Sequence, residues 1–333
     1  HNLGELVDAL LYMIENGDCE PGDLCQFIKG PDFPTGGVIH GLRPVREFLE
    51  TGRGKIKVRG RARIEGESGD KQTIIVTEIP YAVNKSMLIT KIAQLVREKK
   101  IDGISDLRDE SGKEGIRIVI QLKRNAIPEV LLNHLYKHTQ LENTFGAIML
   151  AIDHGRPRVM NIKEALQCFL DHRVEVITRR TRFELNKAEA RAHILEGYLI
   201  ALDHLDEVVR TIRESSNRVE AERKLVERFG LSELQAKAIL DMRLYQLTGL
   251  ERDKITAEYE SIRELIAYLA DLLRNPHKIL EVIREDLQEV RAKFSDERRT
   301  DLVADEGEIR MEDLIADERC VITLSHTGYI KRV

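Results

Sequence analysis

The chain has 333 residues, of which 42% are hydrophobic, 33% charged and 5% aromatic, with no Trp. That length exceeds one ordinary domain, and so many charges beside so few aromatics favour long solvated helices over a single globule. A net charge of -5 argues against a generally basic nucleic-acid binder without excluding a local basic face. No apolar run approaches the roughly 20 residues needed to span a bilayer, and no signal peptide is present. The four cysteines, Cys19, Cys25, Cys168 and Cys320, form no Cys-x-x-Cys pair and meet no His at zinc-ligand spacing, which points to a reduced, cytoplasmic setting.

Residues 1–158 read as mixed α/β. Residues 3–15 have a helical pattern and 16–37 form a loop rich in Gly and Pro. Strand patterns follow at 54–64, 72–79 and 115–122, with helical stretches at 84–100 and 128–138. Asn84 suits a helix start and Gly103 the exit. At Asn161 the character changes. Asn161 with Glu164 makes an N-cap box, no Pro recurs until Pro276, and the only glycines between are Gly197, Gly230 and Gly249. Residues 159–213 are therefore outgoing long helices. Residues 214–250 have shorter apolar runs with stops at Phe229-Gly230 and Thr248-Gly249, a small helical tip.

Residues 251–295 return as coiled coil. Ile255, Tyr259, Ile262, Ile266, Leu269 and Leu273, then Leu280, Ile283, Leu287, Val290 and Phe294, mark a 4-3 seam, with a helix break at Asn275-Pro276. At 1.5 Å per residue, an arm helix of about 35 residues reaches roughly 50 Å. Residues 296–318 read as a solvated acidic linker, with eight acids against one base from Asp301 to Glu318. Residues 319–333 resemble the first β-hairpin of another domain. The chain starts at His1 without Met and stops inside a strand pattern, so both ends read as cuts. The expected fold class is an α+β N-terminal domain followed by a long antiparallel coiled-coil arm with a small all-α globular tip.

The sharpest physical signal is the run from 53 to 63. Arg53, Lys55, Lys57, Arg59, Arg61 and Arg63 occupy every second position, separated by Gly, Ile, Val, Gly and Ala. In a strand, alternate side chains share one face, so all six charges would project together over about 33 Å. Six like charges repel, and an anionic partner such as a phosphate backbone offsets that cost. The plainer reading is a solvated strand face neutralised by acidic neighbours. Arg179, Arg180 and Arg182 form a second cluster, but helical geometry spreads them around the surface. In the tip, Ile239, Met242, Leu244, Tyr245 and Leu247 supply more apolar faces than a small unit can bury, which marks either an interface or the tip's own core. No catalytic or metal constellation emerges: His134 and His138 lack a third ligand, and Gly52-Arg-Gly-Lys55 lacks the spacing of a phosphate loop.

Several segments resemble the A subunits of bacterial type IIA DNA topoisomerases, closest to those of gyrase. They are His1-Asn-Leu3, Gly30-Pro-Asp-Phe-Pro-Thr35, Thr51-Gly-Arg-Gly-Lys55, Asp102-Gly-Ile-Ser-Asp-Leu-Arg-Asp-Glu-Ser111 and Arg191-Ala-His-Ile-Leu-Glu-Gly197, then Gln235-Ala-Lys-Ala-Ile-Leu-Asp-Met-Arg-Leu244, Leu247-Thr-Gly-Leu-Glu251 and Glu297-Arg-Arg-Thr300. The segments appear in family order and cover essentially the whole chain. The resemblance implies that 1–158 is a tower flanking double-stranded DNA, that 159–295 form the arm and a homodimeric exit gate, and that the hairpin at 319–333 opens a β-pinwheel. It implies an ATP-hydrolysing isomerase that passes one duplex through a break, in an A2B2 complex whose gyrase B-type partner supplies the magnesium and ATP sites. The family's cleaving tyrosine sits in an Arg-Tyr-Thr context. None of the eight tyrosines here has Arg before it and Thr after it, so this polypeptide is expected to bind and dimerise without cleaving. The rival readings are the corresponding A-type component of topoisomerase IV and a non-enzymatic DNA-organising coiled-coil scaffold.

Overall fold

The computed structural model describes residues 1–66, 71–243, 249–304, 312–315 and 321–332, without the side chains of residues 249, 250 and 332. The chain divides into two compact units. One comprises residues 1–168 with 287–333, the other residues 169–286.

The first unit is mixed α/β. Helix α1 (Leu3–Glu15) is capped by Asn2, whose side chain accepts from the Glu5 amide, and it buries Val7, Leu10 and Met13. A short helix α2 (Pro21–Leu24) interrupts the expected loop. Strand β1 (Val38–His40) leads into α3 (Leu42–Thr51), which ends at Gly52 in the left-handed region. A side chain at Gly52 would bring a Cβ to 2.2 Å from the Met160 carbonyl, so only glycine turns the chain there.

The basic segment differs from expectation at this point. The single strand expected over 54–64 is two strands, β2 (Arg53–Arg59) and β3 (Ala62–Glu65), in different sheets. Gly60 is the reason. A Cβ at Gly60 would lie 2.5 Å from the Glu78 carbonyl and 2.8 Å from Leu141, so the chain crosses between the sheets through a gap that no side chain fits.

The first sheet has the order β10-β1-β2-β7, where β7 is Glu142–Ile148 and β10 is Asp301–Val303. The second has the order β3-β4-β6-β5, with β4 Thr73–Val76, β5 Ile104–Asp109 and β6 Ile118–Leu122. Helices α4 (Lys85–Arg97, capped by Asn84) and α5 (Pro128–His138) bury Leu88, Ile92, Leu95, Leu131 and Leu135 in one cluster with Ile74, Ile118, Ile120 and Leu122 of this sheet. A separate hairpin, β8 (Leu150–Asp153) and β9 (Arg156–Val159), turns at His154 and Gly155, both with positive φ.

The expected linker over 296–318 is in part structural. Arg298 donates twice to the Glu5 carboxylate, at 2.8 and 2.7 Å, and also to the carbonyls of Gly30 and Pro31, at 2.8 Å each. Asp32 accepts from the amides of Arg299 and Thr300, 3.0 Å each, and from the Asn2 side chain at 3.2 Å. Burial works against the Asp32 charge, yet these donors and the nearby Arg298 hold its carboxyl below the usual carboxylate range. Thr300, fully buried, donates to the Gly36 carbonyl and accepts from the Phe33 amide. The chain then joins the sheet as β10, parallel to β1. Beyond it, β11 (Ile322–Leu324) and β12 (Ile330–Arg332) pair as the expected antiparallel hairpin.

The second unit is helical, and its boundary falls inside two long helices, α6 (Ile162–Asp203) and α11 (Pro276–Phe294). The expected box caps α6: Asn161 accepts from the Glu164 amide, and Glu164 accepts from the Asn161 amide. Helix α10 (Gly249–Arg274) stops at Asn275, where the sequence places the break. Ion pairs Arg191–Glu258 and Arg173–Asp286, with Arg252–Asp203, run in opposite sense along α6 and its partners, so the pairing is antiparallel. Ile255, Leu269, Ile283 and Leu287 are buried as expected, but Leu272 and Ile279 are buried in place of the expected Leu273 and Leu280, and Phe294 is exposed. The first two departures flank the break at Asn275, and the expected positions return at Ile283 and Leu287.

Helices α7 (Leu205–Arg213), α8 (Arg218–Phe229) and α9 (Glu233–Leu240) make the tip, whose cluster contains Ala201, Val208, Leu225, Leu231, Ala236 and Ile239. Ser232 caps α9, its hydroxyl 2.7 Å from Nε2 of His193 on α6, and Gln235 donates to the His193 carbonyl at 2.7 Å. Gln235 packs so closely over Gly197 that a Cβ there would meet its side chain at 2.7 Å.

The Arg298→Ala variant leaves the Glu5 carboxylate, 14% exposed, without its partner. It should destabilise the first unit by about 3 kcal/mol, read as a lower urea midpoint at unchanged slope. An unmoved midpoint would show that this ion pair does not hold the unit closed.

Candidate nucleic-acid interface

Register places the cations of β2 on one face. Arg59, Lys57, Lys55 and Arg53 lie opposite Glu142, Thr144, Gly146 and Ile148 of β7, and Arg59 and Lys57 lie opposite Val38 and His40 of β1. Ile56 and Val58, between them, are buried on the other face. The face is not uniformly charged. Asp301 follows Val38 across the sheet, so the row through Arg59 is closed by Asp301 at one edge and Glu142 at the other.

Arg59 pairs with Glu142, both largely buried, and its guanidinium stands 4.9 Å from the centre of the Tyr136 ring. Burial, against the opposing influence of Arg59, pushes the Tyr136 phenol above its ordinary pKa. Arg61 bridges Asp301 at 2.7 Å and Glu78 at 3.2 Å, and Arg63 meets Glu65 at 2.8 Å. Three of the six cations are thus neutralised locally, and Arg61 and Arg63 have left the β2 face.

Arg53 and Lys55 are exposed and have no ion pair among the described residues. Together with Pro44, Glu47, Gly146 and Ile148 they line an open depression, where glycine at 146 leaves Lys55 without a cross-strand side chain. Arg156 of the adjoining hairpin is also exposed without an ion pair among the described residues. The charge pattern alone does not single it out, although His154-Gly155 between alternating residues is a turn signal.

The other expected sites are divided. Ile239 is 6% exposed and belongs to the tip's own core, and Met242 is half-buried. Leu244, Tyr245 and Leu247 lie outside the described residues. Arg179 pairs with Glu175 on the surface of α6. His134 and His138 stack at 5.9 Å, and no group of metal-ligand side chains occurs among the described residues. Cys19, Cys25 and Cys168 are free thiols. No described helix is long and apolar enough to cross a membrane.

Comparison with known proteins agrees with this architecture. Residues 1–288 match the family model for the A subunits of DNA gyrase/topoisomerase IV. The chain is 53% identical over its whole length to the DNA gyrase A subunit of Clostridium acetobutylicum, covering 40% of that protein. It is 55% identical to that of Halalkalibacterium halodurans and 50% to that of Helicobacter pylori, again over all of this chain and 40% of each relative. The chain belongs to the family of DNA gyrase and topoisomerase IV A subunits. It spans about two fifths of the length of the gyrase A subunits it matches.

Substitution separates the two kinds of cation. Arg59→Met should destabilise the first unit by about 2 kcal/mol, because Glu142 is left largely buried and unpaired, whereas Arg53→Met and Lys55→Met should leave thermal unfolding unchanged. Equal melting shifts in all three would remove the distinction.

Proposed function

We propose that this chain supplies DNA docking and a dimer contact to the breakage-reunion component of a gyrase-like type IIA topoisomerase. The parent assembly is an A2B2 isomerase that passes one duplex through another. Its partner ATPase contributes the ATP and magnesium sites. The observation that carries the docking role is the open end of the β2 face, where Arg53 and Lys55 stand exposed and neither has an acid partner among the described residues. Such cations meet phosphates without reading sequence. Arg59, Arg61 and Arg63 extend the basic field through charges that acids partly offset. The names of the relatives favour gyrase over topoisomerase IV. With no tyrosine in the Arg-Tyr-Thr context, this polypeptide holds DNA and does not cleave it.

Charge reversal at Arg53 and Lys55 should weaken binding to duplexes of any sequence and lower the slope of log affinity against log salt by about 2, since each lost phosphate contact removes about 0.9. Unchanged affinity and slope in fluorescence anisotropy would reduce this face to a solvated surface.

The dimer contact belongs to the tip. The antiparallel seam is satisfied within one chain, because α6 and α10 are joined through the tip and pair at high effective concentration. Met242, Leu244, Tyr245 and Leu247 remain as the intermolecular set, with Ile239 supporting them from the core. Sedimentation of the protein with Met242 and Tyr245 changed to charged residues should give a folded monomer. A folded dimer would take this segment out of the gate.

A further inference from the structure

Helix α6 has a second apolar stripe besides its seam. Phe169, Val176 and Phe183 recur at a spacing of seven and are exposed, Phe183 to 69%. Helix α10 has a matching pair, Leu265 and Tyr268, also exposed. Phe169 and Val176 each lie one position before a buried seam residue, Leu170 and Ile177. Leu265 and Tyr268 likewise precede Ile266, half-buried, and Leu269, buried. One step back along a helix is a turn of about 100°. The ion pairs Arg191–Glu258 and Asp203–Arg252 make α6 and α10 antiparallel. Equal backward steps on antiparallel helices lead to the same side of the pair, so these apolar residues share one face.

The two halves of this face carry opposite charge. On α6, the positions three and four residues from the stripe include His172, Arg173, Arg179, Arg180 and Lys187, and none is an acid. Arg173 and Arg179 are engaged by Asp286 and Glu175. Arg180 and Lys187 are exposed and have no ion pair among the described residues. On α10, the same spacing around Leu265 and Tyr268 gives Glu264 and Asp271 and no base. Asp271 holds Lys278, whereas Glu264 is exposed without an ion pair among the described residues. The two ion pairs that join α6 to α10 also set their register. They put Phe183 near the level of Tyr268, Lys187 near that of Glu264 and Arg180 near that of Asp271.

We propose that this face binds the same face of a second copy of the chain, about a twofold axis parallel to the helices. Such an axis lays α6 of each copy over α10 of the other, antiparallel and at unchanged level. Phe183 then meets the partner's Tyr268, and Lys187 meets the partner's Glu264. A twofold axis running across the helices would set α6 on α6, cation against cation. The charge pattern therefore selects the first arrangement. The face is also large enough. From Phe169 to Ala190 it runs about 32 Å at 1.5 Å per residue, and two packed helices are about 20 Å wide. That gives about 600 Å² per partner, at the low end of specific interfaces. The contact uses a different surface from the tip segment and does not rest on it.

Disulfide trapping between two kinds of the full 333-residue chain tests this. With the native cysteines changed to Ala, one protein carries Phe183→Cys and the other Tyr268→Cys, so a bond between the two joins separate copies. Arg182→Cys mixed with Arg263→Cys is the control. These residues follow the seam positions Thr181 and Ile262, and a forward step leads to the opposite side. The mixed pair should link about tenfold faster than the control pair. Lys187→Glu should slow the link about threefold, Glu264→Lys should do the same, and the two together should restore it. Every substituted residue outside the native cysteines is exposed, so circular dichroism should show unchanged helix. If the mixed pair links no faster than the control, no second copy sits on this face. If Lys187→Glu then weakens duplex binding in anisotropy, the face is a nucleic-acid surface instead. A link that the charge swap fails to restore would overturn the opposed-charge arrangement.

Discussion

The first unit depends on one charged contact. Arg298 reaches Glu5 with both arms of its guanidinium and fills its remaining donors with the carbonyls of Gly30 and Pro31. Asp32, next in the loop, takes the amides of Arg299 and Thr300. Beside the buried Ile28, Phe33 and Ile39, the stretch that joins α1, the 30–37 loop and β10 is held by a hydrogen-bond network in which Asn2, Asp32, Arg298 and Thr300 satisfy one another or the backbone. The position of β1 follows from that network, because β10 pairs with it only once Thr300 is seated under Gly36. The position of β2 follows from β1.

That dependence bears on the basic face. Asp301, which tempers Arg61, arrives in the sheet through the Arg298 contact. The same polypeptide segment therefore closes the unit and sets the electrostatics at one end of the face. A strand with six cations in register would repel itself, and the fold resolves this in two ways. It turns the chain at Gly60, leaving Arg61 between the strands and carrying Arg63 into another sheet, and it supplies acids to the cations that are less exposed. What stays open is a short cationic edge at Arg53 and Lys55.

Local signals are legible in the sequence and distant ones are not. Helices α1 and α5 fall where the residues place them, because Asn2 caps one and Pro128 starts the other. The start of α6 is equally readable from Asn161 and Glu164. Helix α3 escapes the pattern: it carries Pro44 in its first turn and buries only Val45, Phe48 and Leu49, so its apolar stripe is brief. The basic run is plain but its break is not, since nothing next to Gly60 announces that Glu78 and Leu141 will crowd it. Glu5 and Asp32 lie far from Arg298 in the chain, and a contact across more than 260 positions leaves no periodic trace. In the tip, Ile239 groups with surface candidates because apolar content does not separate a core from an interface.

The parallel pairing of β1 with β10 has a consequence for biosynthesis. Val38 pairs with Asp301, so the whole helical unit is translated between two neighbouring strands of one sheet. The ribosome completes residues 169–286 before the sheet can gain its last strand. Joining ends across so long an unstructured chain is slow and entropically costly, though the cost rises by only about 0.6 kcal/mol per doubling of loop length. Antiparallel pairing of α6 with α10 and α11 shortens the effective loop, since the Arg173–Asp286 contact brings its two ends together. The helical insertion thus serves as its own splint, and the nascent sheet waits with β1 as an open edge until the returning helix delivers Arg298.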